Sequence, residues 1–186
     1  MSIQPLQSYL SVEDYLNLEQ HSNLRHEYIA GQVYAMSGGS EAHDLISVNL
    51  LTRLRTHLRG SGCRVFSGNM KVKIESLDLF YYPDVSVTCD LQDREKYFKT
   101  RPCSIVEVLS PNTERVDRHE KWNNYRQLDS LQEYVLVSQT EMKVEIYRRG
   151  DRGDWTREIF GPADTIQFAA VGLEMTVAEI YEEVEL

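Results

Sequence analysis

Residues 104–138 read SIVEVLSPNTERVDRHEKWNNYRQLDSLQEYVLVS. The stretch opens on a short apolar run, Ser104 to Leu109, of the kind that forms a central strand, with one acid inside it. Pro111-Asn112-Thr113 turns the chain. Thr113 is placed to cap a helix that the spacing carries to about Asp129. Glu133 to Ser138 is a second apolar strand. The acid in the first strand is Glu107, flanked by Ile105, Val106, Val108 and Leu109. An isolated charge buried there costs several kcal/mol, so Glu107 needs a metal or a cation beside it.

One strand-like run upstream holds a second acid. YYPDVSVTCD (81–90) places Val85, Val87 and Cys89 on one face and Asp84, Ser86 and Thr88 on the other. Two carboxylates on neighbouring strands can hold Mg²⁺ or Mn²⁺ through hard oxygen ligands and leave positions for water and phosphate. Taken alone, Asp84 reads as a turn residue after Pro83, and Glu107 as half of a buried ion pair. Together at the ends of adjacent core strands they read as a site.

Lys121, on the helix that follows, is the candidate cation. On a helix starting near Thr113, Asp117, Lys121, Tyr125 and Leu128 fall on one stripe, which Tyr125 and Leu128 turn toward the sheet. Lys121 then points toward Glu107. The plain alternative is an Asp117–Lys121 surface pair.

The rest of the chain gives a coarse order of elements. Ser11 with Asp14 opens a helix over roughly 11–20. HEYIAGQVYAMS (26–37) reads as a hairpin turning at Ala30-Gly31-Gln32. Ser40 caps a helix to about Arg59, with Ile46, Leu50 and Leu54 as its apolar stripe. RVFSGNMKVKIES (64–76) reads as one strand-like run. EYVLVS and KVEIYRR form a further hairpin, and Thr176 begins a short acidic helix. The expected architecture is α/β: a central mixed sheet flanked by helices, with an N-terminal hairpin and extra C-terminal strands. It spans 1–186 as a single domain, with its core at about 40–140.

Net charge is −9 over 186 residues, which opposes indiscriminate nucleic-acid binding. The charge is uneven, however. Residues 41–75 carry six basic against three acidic side chains, and 140–186 carry five against eleven. Arg53, Arg55 and Arg59 on the helix, or Lys71 and Lys73 on the strand, are therefore the candidate phosphate contacts. Both lysines are expected to face solvent, and either is a substitute active-site cation. His43 shares the stripe of Ile46 and reads as half-buried, or as a contact to phosphate or to a site carboxylate. Glu27 by itself reads as a surface acid. Cys63, Cys89 and Cys103 are odd in number and lack CxxC spacing, so they are expected as free thiols in a reducing compartment. No basic start with an apolar block opens the chain, and no apolar run reaches the roughly 20 residues of a membrane helix. The expectation is a cytoplasmic protein without a membrane segment. GxSxG, P-loop and HExxH patterns are absent from the sequence.

With these residues in view, Pro83-Asp84, Glu107-x-Leu109 and the order of elements resemble the PD-(D/E)xK nuclease superfamily. HEYIAGQVYAMSGGS, YYPDVSV, IVEVLSPNTERVDRHEKWNNYRQLDSLQEYVLV and EIYRR are similar, more closely, to a bacterial family of restriction-endonuclease-like proteins. That resemblance covers about residues 10–180. It implies a restriction-endonuclease-like fold and Mg²⁺-dependent cleavage of DNA phosphodiesters. Asp84 and Glu107 map onto the metal-binding acids, the carbonyl of Val108 onto an adjacent ligand, and Glu27 onto an early acid that helps hold metal. The superfamily's usual lysine, two residues after the second acid, is Leu109 here, and the resemblance implies that Lys121 replaces it. A symmetric homodimer would suit cleavage of both strands. The competing expectations are a non-catalytic descendant that binds nucleic acid or protein, and a purely structural ion-pair network.

Overall fold

The computed structural model describes residues 9–186. The stretch read for a leader begins outside them. Helix α1 (Val12–His21) starts at Ser11, whose side chain accepts from the Asp14 amide. Strands β1 (His26–Ile29) and β2 (Gln32–Ala35) form the expected hairpin. Its two-residue turn, Ala30-Gly31, takes positive φ at both positions, 44° and 93°, the twist that suits a tight hairpin. Helix α2 (Glu41–His57) is capped by Ser40 and buries Ile46, Leu50 and Leu54.

The two strand-like runs that follow each split between two sheets. RVFSGNMKVKIES gives β3 (Arg64–Ser67) and β4 (Lys71–Ile74), separated by a turn at Ser67–Met70. YYPDVSVTCD breaks at Tyr82-Pro83, ending β5 (Leu79–Tyr81) and starting β6 (Val85–Thr88). Proline offers no amide to a ladder, so the chain crosses between layers there. With β7 (Phe98–Lys99), the first sheet runs β2-β1-β5-β4-β7. The second contains β8 (Ser104–Leu109), β9 (Glu133–Ser138), β10 (Val144–Arg149) and β11 (Trp155–Phe160) in the order β11-β10-β9-β8-β6-β3. Only β8 and β9 are parallel in it, so the sheet is mixed.

Helix α2 covers one face of this second sheet over Val85, Val87, Val106 and Val108. Strands β12 (Thr165–Phe168) and β13 (Leu173–Thr176) and helix α4 (Val177–Ile180) complete that layer. The opposite face, with Ile105 and Leu109, packs on Val72, Ile74, Leu79 and Tyr81 of the first sheet and on Tyr125 and Leu128. Glu107 alternates with Ile105 and Leu109 and lies on that second face.

The helix expected from Thr113 to Asp129 is shorter and wider. Val116–Lys121 is π-helical and runs on into α3 (Trp122–Tyr125). Arg149 ends it by donating to the carbonyls of Arg126, at 2.7 Å, and Leu128, at 3.0 Å. Trp122 stacks on Tyr147 with ring centroids 4.3 Å apart, fixing the helix on the sheet. A π-turn in this place is a deviation from regular helix that often marks a site.

The cysteine expectation is corrected. Cys63 and Cys89 form a disulfide, and Cys103 alone is free. Arg64 pairs with Thr88 across β3 and β6. One residue further in that register sets Cys63 opposite Cys89, a cross-strand neighbour that an odd cysteine count cannot reveal. The Cys103 sulfur lies 3.7 Å from that of Cys89, and burial pushes its thiol up to about 11. Among the described residues no helix is long and apolar enough to cross a membrane.

Candidate active site

The site lies where β6 and β8 part. Val85 pairs with Val106, so one residue further places Asp84 across from Glu107. Pairing stops there, and the Val108 amide donates to Asp84 Oδ2 at 2.7 Å instead of to a strand. An extended residue turns its N–H and C=O to the same edge, so the Val108 carbonyl faces the Asp84 side. The His43 ring, one turn into α2, approaches the same carboxylate at 3.2 Å from Nε2 to Oδ2. That hydrogen bond raises the imidazole above its ordinary 6.5 against the opposing effect of burial.

Glu107 is only 3 % exposed and Lys121 only 7 %. Lys121 Nζ stands 3.2 Å from carboxylate oxygens of Glu107, Glu27 and Asp117 alike. Tyr125 donates its hydroxyl to Glu107 at 3.1 Å. Burial would strip the proton from Lys121, but the carboxylates outweigh it and hold the ammonium charged. Burial lifts the Glu107 carboxyl well above its ordinary range. Lys121 pulls it back, and the like charges of Asp117, Asp84 and Glu27 push it further up. One ammonium thus faces three carboxylates, and Asp84 adds a further like charge near Glu107.

That excess tests whether a divalent cation suits the residues present. The donors are hard oxygens, the type that Mg²⁺ and Mn²⁺ prefer. Among the described residues no three His, Cys, Asp or Glu side chains are placed to hold a metal ion by themselves. Two carboxylates with a backbone carbonyl therefore fit Mg²⁺, which keeps several waters and uses one or two protein carboxylates, better than a fully protein-caged ion. Asp84, Glu107 and the Val108 carbonyl are the residues that would hold it.

The structure gathers Asp84, Glu107, Lys121, Glu27 and His43 into this one place. It adds two residues that the sequence reading passed over as ligands or partners. Asp117 was counted only as a helix neighbour of Lys121, although its i, i+4 spacing was the available signal. Arg25 reaches the cleft mouth beside Gly68 and Asn69, with no local pattern to announce it.

The five basic residues nominated for phosphate lie off the cleft. Arg53 pairs with Glu179 at 3.1 Å and with Glu182, while Arg55, in the last turn of α2, and Arg59, just past its end, are exposed. Lys73 meets Glu75 at 3.5 Å. Lys71 does not face solvent as expected: it is buried, donating to the Tyr82 hydroxyl at 3.1 Å, and burial lowers its pKa.

A mixed sheet flanked by helices, with a carboxylate pair at the splayed ends of two neighbouring strands, defines a protein of the restriction-endonuclease-like class. The chain belongs to the Uma2 family, whose model, described as "Putative restriction endonuclease", matches residues 12–178. Two proteins of Synechocystis sp., both described only as uncharacterised, are similar along nearly their whole lengths. One is 42% identical over 173 residues, covering 92% of this chain and 91% of that protein. The other is 30% identical over 164 residues, covering 86% and 93%. A crystal structure from Anabaena variabilis, described as "a putative nuclease belonging to DUF820", superimposes with a TM-score of 0.75 at 17% identity. The match covers 95% of this chain and 99% of that one, a likeness of fold. Family membership supports a nuclease-like function.

Proposed function

We propose that the protein is an endonuclease that hydrolyses DNA phosphodiester bonds with Mg²⁺ or Mn²⁺ held by Asp84, Glu107 and the Val108 carbonyl. The observation that carries this reading is the charge imbalance: the carboxylates of Glu107, Glu27 and Asp117 share a single lysine, and Asp84 adds a further like charge near Glu107. A structural ion-pair network balances its charges, because unpaired buried charge is costly. The imbalance here is relieved when a divalent cation joins the cluster.

The bound cation supplies Lewis-acid activation of water and of a phosphoryl oxygen. The chain's own residues do the rest. The Val108 amide and His43 fix the Asp84 carboxylate in one orientation. Tyr125 and Lys121 do the same for Glu107. The Lys121 ammonium, held beside Glu107, would lie near the nonbridging phosphate oxygens of a strand drawn to the site, where negative charge builds in the transition state. Its four-carbon stem gives the reach.

The test is cleavage of duplex, single-stranded and branched DNA with and without Mg²⁺ or Mn²⁺, alongside calorimetry of cation binding. Cleavage that needs the cation, and that both Asp84→Asn and Glu107→Gln remove together with cation binding, is the expected result. Unchanged cation binding in both variants would count decisively against it.

A further inference from the structure

Resting on the hydrolase reading above, we infer that the strand entering the cleft is a short single strand of DNA, one or two nucleotides at a time, and not a long duplex. The cleft has a volume of about 570 Å³, within the range of small-ligand clefts. Three loops bound it: Met36–Ser40 after β2, Ser67–Asn69 after β3 and Ser110–Thr113 after β8. Glu107 and Lys121 lie at its floor, nearly sealed from solvent. A scissile phosphate must descend between these loops to reach them. One unpaired strand can do so, whereas a duplex is held at the rim by its second strand.

Charge points the same way. The lining carries two basic side chains, Arg25 and Lys121, against four acidic ones, Asp44, Asp84, Glu107 and Asp117. Lys121 is committed to carboxylates. Among the described residues Arg25 donates only to neutral oxygens, those of Gly68 and Asn69, which leaves its charge unmatched by any described carboxylate at the mouth. A duplex-binding protein neutralises about 6–10 phosphates and shows a correspondingly steep salt dependence. Here a second strand would instead be laid along a chain of net charge −9. The basic segment of α2 and β4 offers no compensation in the cleft, because its side chains are paired, buried or off the lining. Residues 1–8 contain no lysine or arginine to add. Much of the remaining lining is uncharged and polar, with Ser37, Ser47, Asn69, Asn112 and Gln139, groups suited to base edges and sugars of an unstacked nucleotide.

The experiment compares three probes with the full-length wild-type protein in Mn²⁺: a single-stranded hexanucleotide, a blunt duplex of two dozen base pairs, and the small diester bis(p-nitrophenyl) phosphate. The expected result is a kcat/KM for the hexanucleotide about tenfold or more above that for the duplex, equivalent to about 1.4 kcal/mol. The log–log salt slope of its 1/KM should be about −1, since a single strand contributes roughly −0.7 per neutralised phosphate. Arg25→Gln raises the KM for the hexanucleotide several-fold while kcat holds, and the double variant Arg55→Glu/Arg59→Glu leaves that KM where it was. Preference for the duplex, a salt slope of about −5 or steeper, or loss of binding in the double variant overturns the inference and leaves the hydrolase reading standing. Failure of all three probes, the small diester included, overturns both.

Discussion

Two buried carboxylates sit on strands of the same sheet, and their surroundings could hardly differ more. Glu145, on β10, is 2 % exposed, and Glu107, on β8, is 3 % exposed. Glu145 meets two arginines: Arg118 at 2.8 Å and Arg157, which approaches through both Nε and Nη2. Burial pushes its carboxyl up, but these hydrogen bonds and charges outweigh burial and hold it below its ordinary value. Glu107 has one lysine, shared with Glu27 and Asp117, and its carboxyl is held high. A surplus of cation marks a carboxylate built to stay ionised and to brace the fold. A deficit marks a place where the fold carries a cost, one that the proposed cation would relieve.

The sharpest way to break the contrast is to remove each charge in turn. Glu107→Gln or Asp84→Asn should lower cation-dependent hydrolysis by about 10³-fold or more, the scale of several kcal/mol of lost metal-assisted stabilisation. Without added metal, Glu107→Gln should unfold no more easily than wild type at neutral pH. The raised folded pKa means that wild type loses stability as pH climbs above the unfolded value near 4.5, while the glutamine variant does not. Melting curves across pH would show the two converging in acid. A Glu107→Gln protein that melts far below wild type at neutral pH would place Glu107 in the same structural class as Glu145.

Lys121→Ala should cost about 10²–10³-fold in cleavage, the effect of losing one transition-state donor. It also leaves three carboxylates without their shared cation, a loss of about 3 kcal/mol or more in metal-free protein. Saturating Mg²⁺ should restore more of the melting temperature in this variant than it adds to wild type. Full activity in Lys121→Ala would refute the role assigned to the lysine.

Glu145→Gln should do the reverse of Glu107→Gln. It leaves Arg118 with Glu114 alone and takes the carboxylate from Arg157, at a cost of about 1–2 kcal/mol, discounted for the exposure of both arginines, with hydrolysis per folded molecule unchanged. The depressed folded pKa gives this contribution at pH above the unfolded value, and it is lost as pH falls through the folded one. His43→Ala is the smallest change, about 1 kcal/mol for a half-buried pair. Because the imidazole is raised, its contribution is full below about pH 6.5 and fades as pH rises through the folded value. Chemical denaturation at acid and alkaline pH would measure both.

Local pattern carried much of this protein. The caps at Ser11, Ser40 and Thr176, the hairpin at Ala30-Gly31, the stripe of Ile46, Leu50 and Leu54, and the acid inside Ser104–Leu109 all follow from short-range spacing, and all stand where that spacing sets them. Glu107 was visible because an acid inside an apolar strand is costly wherever the strand goes. What local pattern could not carry was partnership. Period-two alternation makes a strand but does not say which sheet receives it, so β3 and β4, and β5 and β6, looked like single runs. Cys63 and Cys89 met through register, and Arg149 ended α3 from a distant strand. The positive charge of residues 41–75 was real in composition, but Arg53 and Lys73 meet Glu179, Glu182 and Glu75, Lys71 is buried against Tyr82, and Arg55 and Arg59 stand away from the cleft. Arg25 and Glu27 reached the site from the start of β1, and Asp117 from the π-helical turn after β8. The sequence by itself determined which residues were costly enough to need a partner, because burial of charge and the spacing of strands and helices are local properties. Only the tertiary structure decided which partner each one met, because electrostatic balance depends on distances between segments that lie far apart along the chain.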